Sequence, residues 1–445
     1  MKRILILGAG LSATSLINYL LEHAETEDWH IRLGDMDDKL AASKINGHPR
    51  GESFQFDVDD ENQLAREIKS CDITVSLLPA KFHSLVARAC VDLNKHMVTA
   101  SYVSKEMKAL DREAREKGLT LLNELGVDPG IDHMSAMRVI DKIRNDGGKL
   151  QVFKSSTGGL IAPEYDNNPW NYKFTWNPRN VVLAGQATAC FIRNGRYKYI
   201  PYHQLFKRTE KTSVLDFGDF EVYPNRDSLS YREIYGLEDI PTIFRGTMRR
   251  PGYCEAWNVF VQLGMTDDSI EYVGDKETTY RDFINSFLRY QPDILVEDKL
   301  CEFMNLDPEG EIMKKLIWLG IFDKRPIGIS GASPAQILQK LLEEKWALEE
   351  NDKDMIVMQH KFEYELNGER KGLKSSFAYI GKSQKETAMA ITVGTPAAIA
   401  VRLLAKGEIK LTGVHTPVVP ELYNPILDEL EKYDIKFIEE EMPVE

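Results

Sequence analysis

The chain has 445 residues, 43% of them hydrophobic, and its 69 acidic against 56 basic side chains give a net charge of −13. A chain of this length exceeds what one hydrophobic core supports, so we expect two or three domains. The composition is that of a folded globular protein and argues against global disorder, while the negative charge argues against binding to nucleic acid or to an anionic membrane surface.

The cysteine pattern and the N-terminus indicate a cytoplasmic protein. The five cysteines are dispersed and form no C-x-x-C motif, at Cys71, Cys90, Cys190, Cys254 and Cys301. We therefore expect neither a disulfide framework nor a metal site. The apolar run from Ile4 to Leu7 is too short for a signal peptide, and we expect no apolar stretch long enough to span a bilayer.

The first 125 residues predict alternating strands and helices. Six short apolar runs are RILILG, HIRLGD, SFQFDV, DITVSLLP, HMVTASY and LTLLNELG, and stretches with helical spacing separate several of them. Such alternation is typical of a parallel sheet covered by helices on both faces. We predict a doubly wound α/β Rossmann domain over residues 1–130, to which C-terminal segments can contribute. A helix should follow, with Asp132 as its N-cap and Gly147 near its end.

The sequence pattern changes after residue 150. KLQVFKSSTGGL, YKFTW, VVLAG and FGDFEVYPNRDS read as strands and turns. They predict an α+β substrate-binding and dimerisation domain with a mixed sheet, over residues 131–253 and 352–445. Residues 254–351 have helical spacing instead, which predicts a helical insert domain.

A dinucleotide-binding motif follows the first predicted strand. Gly8-Ala9-Gly10-Leu11-Ser12-Ala13 is G-x-G-x-x-A in the strand–turn–helix setting that this motif requires. Gly8 permits the tight turn, Gly10 lets the backbone approach a pyrophosphate, and Ala13 allows close packing of helix on strand. The N–H groups of the helix start, with Leu11 and Ser12, would meet the phosphates. The alternative is a chance glycine-rich turn.

Further cofactor contacts are expected at the carboxyl ends of the strands, where ligands of open α/β sheets bind. Asp35 ends the second strand, and a carboxylate there accepts hydrogen bonds from ribose hydroxyls and repels a 2′-phosphate. The cofactor is therefore NAD or NADP, with NAD favoured, unless Asp35 is only a turn residue. Topology alone adds the ends of the third and fourth strands, which are Asp57 and Val58, and Ser76, Leu77 and Leu78.

Five segments carry a family resemblance. They are TASYVS (99–104), NELGVDPGIDH (123–133), GGLIAPE (158–164), YPNRDS (223–228) and LIWLGIF (316–322). With these segments in the same order, the chain resembles the glutamate-forming saccharopine dehydrogenase family, also called saccharopine reductases, over nearly its whole length. That family combines a Rossmann domain, an α/β substrate and dimer domain and a helical domain.

The resemblance implies an enzyme of lysine metabolism that is a homodimer. Such enzymes use NAD(P) to interconvert saccharopine with glutamate and α-aminoadipate semialdehyde, by hydride transfer at a secondary amine and hydrolysis of the resulting imine. The substrate contacts that the resemblance implies are Ser101, Tyr102, Asp128, Arg226, Thr247, Met248 and Arg249. The cofactor contacts that it implies are Gly10 to Ala13, Asp57, Val58, Val127, Asp128, Pro129 and Phe174.

The chemistry of saccharopine suits several of these residues. Its three carboxylates match the bidentate geometry of Arg226 and Arg249, and its ammonium matches Asp128. Tyr102, Asp128 and bound water are the candidates for proton transfer, whereas His133 lies at a helix start, which disfavours a charged imidazole. The structural alternatives are a loop-capping Asp128, a packed Tyr102, and an Arg226 paired with Asp227.

Two departures from the family pattern keep other readings open. Thr157 stands where fungal members carry a cysteine, and Asp35-Met36 stands where they carry an arginine that suits NADP. One alternative function is a polyamine-type reductive condensing enzyme, similar to those that make carboxynorspermidine, whose substrate has fewer carboxylates. Another is a non-catalytic Rossmann-like binding protein.

Overall fold

The computed structural model describes residues 1–184 and 186–444. The strands are β1 (Lys2–Leu7), β2 (Trp29–Asp35), β3 (Gly51–Gln55), β4 (Ile73–Ser76), β5 (His96–Val98), β6 (Thr120–Leu122), β7 (Lys149–Ile161), β8 (Ala189–Arg193), β9 (Arg196–Ile200), β10 (Glu210–Ser213), β11 (Asp219–Pro224), β12 (Thr242–Arg249), β13 (Asp354–Leu366), β14 (Glu369–Ile380), β15 (Gly413–His415) and β16 (Ile438–Met442). The helices are α1 (Ala13–His23), α2 (Asp38–Ile45), α3 (Glu61–Lys69), α4 (His83–Asp92), α5 (Lys105–Ala109), α6 (Asp111–Glu116), α7 (Ile131–Asn145), α8 (Pro178–Val182), α9 (Tyr202–Leu205), α10 (Tyr231–Ile234), α11 (Tyr253–Leu263), α12 (Tyr280–Asn285), α13 (Val296–Met304), α14 (Glu311–Leu319), α15 (Pro334–Trp346), α16 (Ala388–Ala405) and α17 (Pro420–Leu430).

The chain forms two compact units. The first contains residues 1–150, 365–370 and 379–439, and the second contains residues 151–364, 371–378 and those from 440 onward. The predicted three-domain boundaries stay a prediction. In this division, residues 254–351 lie within the second unit, and residues 379–439 of the C-terminal segment lie within the first.

The first unit is built on a parallel sheet of seven strands. Their order is β15-β6-β5-β4-β1-β2-β3, and all neighbours run parallel. This order confirms the predicted Rossmann fold. Ile4 to Leu7 in β1 are fully buried, as expected for a strand covered on both faces. The carboxyl ends of all seven strands meet at one edge of the sheet, and this edge carries the candidate site.

The end of one strand and the start of one helix differ from the predictions. β2 ends at Asp35 as predicted, but β3 ends at Gln55, two residues before Asp57. The Gln63 side chain accepts a hydrogen bond from the Asp57 N–H (2.9 Å) and donates one to the Gln55 carbonyl (2.8 Å), so local side-chain bonds replace the ladder there. The N-cap of α7 is Gly130, not Asp132.

Asp132 lies inside the first turn of α7, and its Oδ1 accepts a hydrogen bond from the Gly130 N–H at 2.6 Å. Gly130 has φ +146°, and a Cβ there would lie 2.1 Å from the Gly126 carbonyl oxygen. Only glycine fits this turn. The prediction of Asp132 as N-cap was therefore wrong by two positions, although Gly147 does follow the helix end with a positive φ of 85°.

The expectation that no stretch is long enough to span a bilayer needs correction. α16 has 18 residues with a mean hydropathy of 1.7, and 83% of it is buried inside the structure. Its apolar character follows from its neighbours, because α16 packs against α1 and α17. At Gly394, α16 and α1 approach each other so closely that a Cβ would lie 2.8 Å from the Leu16 backbone nitrogen.

The second unit contains a mixed sheet, as predicted. Its nine strands include the path β10-β11-β12-β7-β13-β14-β16, in which β12 runs parallel to β7 and antiparallel to β11. α11 to α15 confirm the helical character of residues 254–351. The strand reading of VVLAG was wrong, because Asn177 caps the start of α8 and Pro178 is its first residue. The last residue of that run, Gly185, lies outside the described residues.

Candidate active site

The glycine-rich turn has the backbone geometry that a dinucleotide requires. Gly8 has φ +103°, and a Cβ there would lie 2.9 Å from the Leu77 carbonyl oxygen. Gly10 is exposed, and a Cβ on it would meet nothing within 4 Å. Gly8 is therefore needed for the turn itself, whereas Gly10 leaves an open approach to the backbone.

The start of α1 fits an anionic group. Ser12 is the N-cap but makes no side-chain capping hydrogen bond, and the first turn holds no acidic residue. Leu11 is 74% exposed beside it, while Ala13 is buried against the sheet. The N–H groups of the first helical turn and the positive end of the helix dipole suit the pyrophosphate of a nicotinamide dinucleotide.

Asp35 is bound to the glycine-rich turn. Its Oδ2 accepts a hydrogen bond from the Ala9 N–H at 2.6 Å, and its Oδ1 accepts one from the Asp37 N–H at 2.9 Å. These bonds fix the carboxylate at the cofactor edge. Lys44 donates to the Thr14 hydroxyl at 2.5 Å, and burial lowers the pKa of Lys44 while attraction to Asp35 raises it.

The remaining predicted cofactor contacts in this unit lie at strand ends or in the loops that follow them. Asp57 is exposed and Val58 buried just beyond β3. Ser76 is fully buried at the end of β4, with Leu77 and Leu78 partly buried after it. The loop after β6 contains Val127, Asp128 and Pro129, and the Asp128–Pro129 peptide is cis.

The structure brings Tyr102 and Asp128 together. The Tyr102 hydroxyl donates to Asp128 Oδ1 at 3.3 Å, and Tyr102 is 52% exposed. The alternative of a packed Tyr102 is therefore wrong. A phenol and a carboxylate in contact, both reachable from solvent, can hold a proton and an ammonium group at the same place.

Buried hydrogen bonds hold the two loops that carry this pair. The Glu124 N–H donates to the Ser101 carbonyl at 3.0 Å, and Glu124 Oε1 accepts from the Val103 N–H at 2.9 Å. Glu124 Oε2 lies 2.7 Å from His133 Nε2, and this imidazole is fully buried. Burial supports a structural role for His133. Sequence reasoning missed Glu124. The feature that could have drawn attention to it is its position, since an acidic residue directly after an apolar strand is expected to be partly buried.

Sequence reasoning also missed His83. Its Nδ1 lies 2.8 Å from the Ser76 hydroxyl and its Nε2 lies 2.7 Å from the Ser101 hydroxyl. Burial lowers the pKa of His83 to about 4, so its imidazole is neutral near pH 7. Nothing in the local sequence marked it, because both partners come from other segments.

The second unit holds the predicted arginines. Arg226 is exposed at φ +37°. Its expected alternative partner, Asp227, instead accepts hydrogen bonds from the Leu229 N–H at 2.7 Å and the Cys190 thiol at 3.1 Å. Within the described ranges no ion pair joins Arg226 to Asp227, so that alternative reading is wrong.

Arg249 is a buried cation surrounded by tyrosines. Its side chain is almost inaccessible, at 4% exposure, and its guanidinium carbon lies 5.0, 5.3 and 5.8 Å from the ring centres of Tyr172, Tyr253 and Tyr223. One Nη donates to the Met248 carbonyl at 2.9 Å. Among the described residues, its Nε has no hydrogen-bond partner.

No carboxylate in the described part of the chain forms an ion pair with Arg249; the buried Glu221, its register partner on β11, accepts a hydrogen bond from the Cys254 N–H at 2.6 Å. Burial raises the pKa of all three phenols, so they stay protonated and carry no negative charge. A buried guanidinium whose Nε has no hydrogen-bond partner in the described residues is suited to bind a carboxylate of a ligand.

The other predicted residues of this unit surround Arg249 in sequence or packing. Thr247 is half-buried and pairs in register with Thr157, whose hydroxyl has no hydrogen-bond partner in the described residues. Met248 is fully buried. Phe174 is 8% exposed and packs edge-on against Trp346, with ring centres 5.4 Å apart. Across residues 1–184 and 186–444, no group of His, Cys, Asp or Glu side chains is arranged to hold a metal ion.

Comparisons with known proteins identify the family of the chain. The family model of the saccharopine dehydrogenase NADP binding domain matches residues 4–122, and that of the saccharopine dehydrogenase C-terminal domain matches residues 126–435. The chain is 35% identical to the NADP(+), L-glutamate-forming saccharopine dehydrogenase of Schizosaccharomyces pombe, over 99% of each chain.

Solved structures extend the comparison. The apo saccharopine dehydrogenase (L-Glu forming) of Saccharomyces cerevisiae covers 100% of both chains with a TM-score of 0.91 and 31% identity. A homospermidine synthase of Legionella pneumophila shares the fold at a TM-score of 0.60, 9% identity, and 99% and 91% coverage. The chain therefore belongs to the saccharopine dehydrogenase family.

Proposed function

We propose that this protein is an L-glutamate-forming saccharopine dehydrogenase of lysine metabolism. The observation that carries the proposal is the end-to-end 35% identity to an enzyme with that name, which covers 99% of each chain. The exposed Tyr102–Asp128 pair at the carboxyl edge of the Rossmann sheet supports it, because ligands of such sheets bind at that edge.

The residues divide the chemistry between them. The Gly8–Ala13 turn would hold the pyrophosphate of a nicotinamide dinucleotide, which would supply the hydride acceptor for the carbon next to the secondary amine. Asp128 would bind the ammonium form of that amine, and Tyr102, in contact with Asp128, would handle its proton. Water would then hydrolyse the imine to glutamate and α-aminoadipate semialdehyde. In the second unit, Arg226 and Arg249 are the candidates for carboxylate recognition.

The polyamine-type alternative remains the second candidate. The homospermidine synthase comparison supports it only at the level of the fold, since the identity is 9%. Arg249 favours saccharopine, because a buried guanidinium whose Nε has no hydrogen-bond partner in the described residues suits a substrate with several carboxylates better than a polyamine. A purely non-catalytic role is disfavoured by the intact Gly8 turn and the accessible Tyr102–Asp128 pair.

For the cofactor, we propose a preference for NAD over NADP within the nicotinamide class. The carboxylate of Asp35 is fixed by two backbone N–H groups at the ribose end of the site, where it would repel a 2′-phosphate. The fission yeast relative is named for NADP(+), and Lys44 beside Asp35 is the group that would favour NADP here.

Substitution of Asp35 tests this preference. Asp35→Asn removes the charge but keeps the size, and we expect the NADP/NAD ratio of kcat/KM to rise by about 10-fold or more, the equivalent of a charge–charge term of about 1.4 kcal/mol. Lys44→Gln is the matched control and should lower the same ratio. An unchanged ratio in Asp35→Asn would remove Asp35 from cofactor selection.

The activity itself is tested by absorbance at 340 nm with saccharopine and either NAD or NADP. We expect one cofactor to be reduced while glutamate accumulates in equal amount. Cofactor binding without reduction would redirect the proposal to another amine, to be found by screening aldehyde–amine pairs with the reduced cofactor. We also propose that the protein is a cytoplasmic homodimer. Its molar mass in solution, measured by light scattering, tests whether it is a dimer.

A further inference from the structure

Glu124 brackets Tyr102 through the main chain of the neighbouring loop. The Glu124 N–H donates to the Ser101 carbonyl at 3.0 Å, and its Oε1 accepts from the Val103 N–H at 2.9 Å. These two hydrogen bonds hold the residues on either side of Tyr102, whose own side chain is 52% exposed. Because Glu124 is only 5% exposed, water cannot readily replace either bond. The backbone that carries the phenol is therefore fixed by a buried residue of the next loop.

The same carboxylate reaches the helix that follows Asp128. Glu124 Oε2 lies 2.7 Å from His133 Nε2, and His133 lies in the first turn of α7. The N–H of Asp132, one residue earlier, donates to the Val127 carbonyl at 3.1 Å, and Val127 directly precedes Asp128. One side chain thus contacts both the loop of the phenol and the helix start that holds the loop of its carboxylate partner.

The main chain of Glu124 adopts an unfavourable conformation. Its φ is +59°, in the left-handed region that residues with a Cβ rarely adopt. Such strain persists where the surrounding contacts over-determine the backbone, and it is concentrated at functional sites. A glycine would relieve the strain, but it would lack the carboxylate that binds Val103 and His133.

We propose that Glu124 is a positioning residue, which holds the Tyr102 hydroxyl on Asp128 for the proton step of the reaction. The hydroxyl donates to Asp128 Oδ1 at 3.3 Å, and a small shift of either loop would lengthen this contact beyond hydrogen bonding. This role rests on the proposed function and goes beyond it, because Glu124 acts through the two loops and not on the substrate.

Substitutions of Glu124 separate positioning from packing. In Glu124→Leu the bonds to Val103 and His133 are lost, and we expect kcat/KM for saccharopine to fall by about 10-fold or more. Glu124→Gln keeps the acceptor for the Val103 N–H and offers a donor to a neutral imidazole, so at least about threefold of this loss should be recovered. The control is Glu67→Leu in α3, where a carboxylate that is 6% exposed pairs with Arg32 at 2.8 Å. This control should lower the melting temperature and leave the kinetics unchanged.

A double-mutant cycle with Tyr102 tests the link itself. If Glu124 acts through the phenol, Glu124→Leu should lower kcat/KM by no more than about twofold in a Tyr102→Phe background. A merely structural role would give the same factor in both backgrounds, and that result would overturn the proposal. Wild-type kinetics in Glu124→Leu, or an equal loss in Glu124→Gln and Glu124→Leu, would overturn it as well.

A milder variant keeps the test decisive if Glu124→Leu does not fold. Glu124→Asp keeps the charge and tolerates a positive φ, but its side chain is one methylene too short to reach both Val103 and His133. It should lower kcat/KM by about threefold or more in the wild-type background and hardly at all in Tyr102→Phe. Equal factors in the two backgrounds would again overturn the proposal.

The placement of the phenol can be measured without turnover. In protein labelled with 3-fluorotyrosine, the ¹⁹F signal of Tyr102 is assigned by its absence in Tyr102→Phe, and Asp128→Ala marks its position without the hydrogen bond. We expect Glu124→Leu to move the signal toward that position, and Glu124→Gln and Glu67→Leu to leave it in place. An unmoved signal in Glu124→Leu would overturn the proposal. If the wild type does not oxidise saccharopine, the proposed function fails, but this spectrum still decides the role of Glu124.

Discussion

Replacement of Arg249 by methionine should move stability and activity in opposite directions. The perturbation removes a cation that is 4% exposed and keeps a long flexible side chain in its place. If Arg249 binds a substrate carboxylate, the folded protein without substrate carries a buried guanidinium whose Nε has no hydrogen-bond partner in the described residues, and its removal relieves that cost.

The magnitude follows from the contacts of the guanidinium. The substitution loses one charge-assisted hydrogen bond to the Met248 carbonyl, about 1.5–3 kcal/mol, and three ring contacts of about 0.5–1 kcal/mol each. It relieves an Nε without a partner, about 1–3 kcal/mol, and a desolvated charge of several kcal/mol. We expect the free energy of unfolding to change by less than about 2 kcal/mol, in the stabilising direction.

Activity should respond very differently to the same change. Loss of a charge-assisted pair with the substrate, about 2–3 kcal/mol, lowers kcat/KM for saccharopine by roughly 100-fold. The assays are calorimetric unfolding and absorbance at 340 nm. The control is Lys299→Met, another buried cation, whose Nζ donates to Asn285 at 2.9 Å, and it should retain wild-type kinetics. Strong destabilisation of Arg249→Met, or unchanged kinetics, would refute the reasoning.

Three further predictions concern the first unit. The pKa of His83 is about 4 in the fold and about 6.5 in the unfolded chain, so the unfolded chain takes up its proton first as pH falls. The free energy of unfolding should therefore decrease from pH 6.5 to pH 4 by roughly 3 kcal/mol. Urea titrations at both pH values should show a smaller loss of stability in His83→Asn. Gly394→Ala pushes α16 against the backbone of α1 and should raise KM for the cofactor more than KM for saccharopine, whereas equal changes would contradict this coupling. Gly130→Ala places a Cβ 2.1 Å from the Gly126 carbonyl oxygen and should lower the melting temperature far more than Gly118→Ala, a positive-φ glycine with open space around it; similar melting temperatures would contradict the strain.

Periodicity and local motifs predicted much of the first unit. Most strands of the Rossmann sheet coincide with short apolar runs of the sequence, and the glycine turn and Asp35 come at the ends of the first two of them. The prediction allowed C-terminal segments to contribute to this domain, but the pairing of β15 with β6 could not be predicted, because almost 300 positions of sequence separate the two strands. α8 was misread since its Val-Val pair favours a strand, while the Asn177-Pro178 start decides for a helix.

Only the part of the candidate site that lies at the ends of the predicted strands could be predicted from the sequence. Tyr102 and Asp128 lie next to each other because β5 and β6 are neighbours, and parallel topology implies that proximity. His83 and Glu124 could not be identified in the same way, since their roles consist of hydrogen bonds to residues from other segments. For Arg249, the sequence indicated a cation but not its burial among three tyrosines, which depends on packing of distant elements.

The hydrogen bonds in the first unit separate reactive from supporting groups. Tyr102 and Asp128 remain accessible, as proton transfer with a substrate requires. His83 and Glu124 are buried; His83 contacts the hydroxyls of Ser76 at the end of β4 and Ser101 after β5, and Glu124, in the loop after β6, accepts from the Val103 N–H after β5. A cofactor and a substrate that meet at this edge would each contact loops held by the same two buried side chains. The relative placement of donor carbon and nicotinamide then depends on groups that touch neither ligand, because angstrom-level shifts of these loops would disrupt hydride transfer.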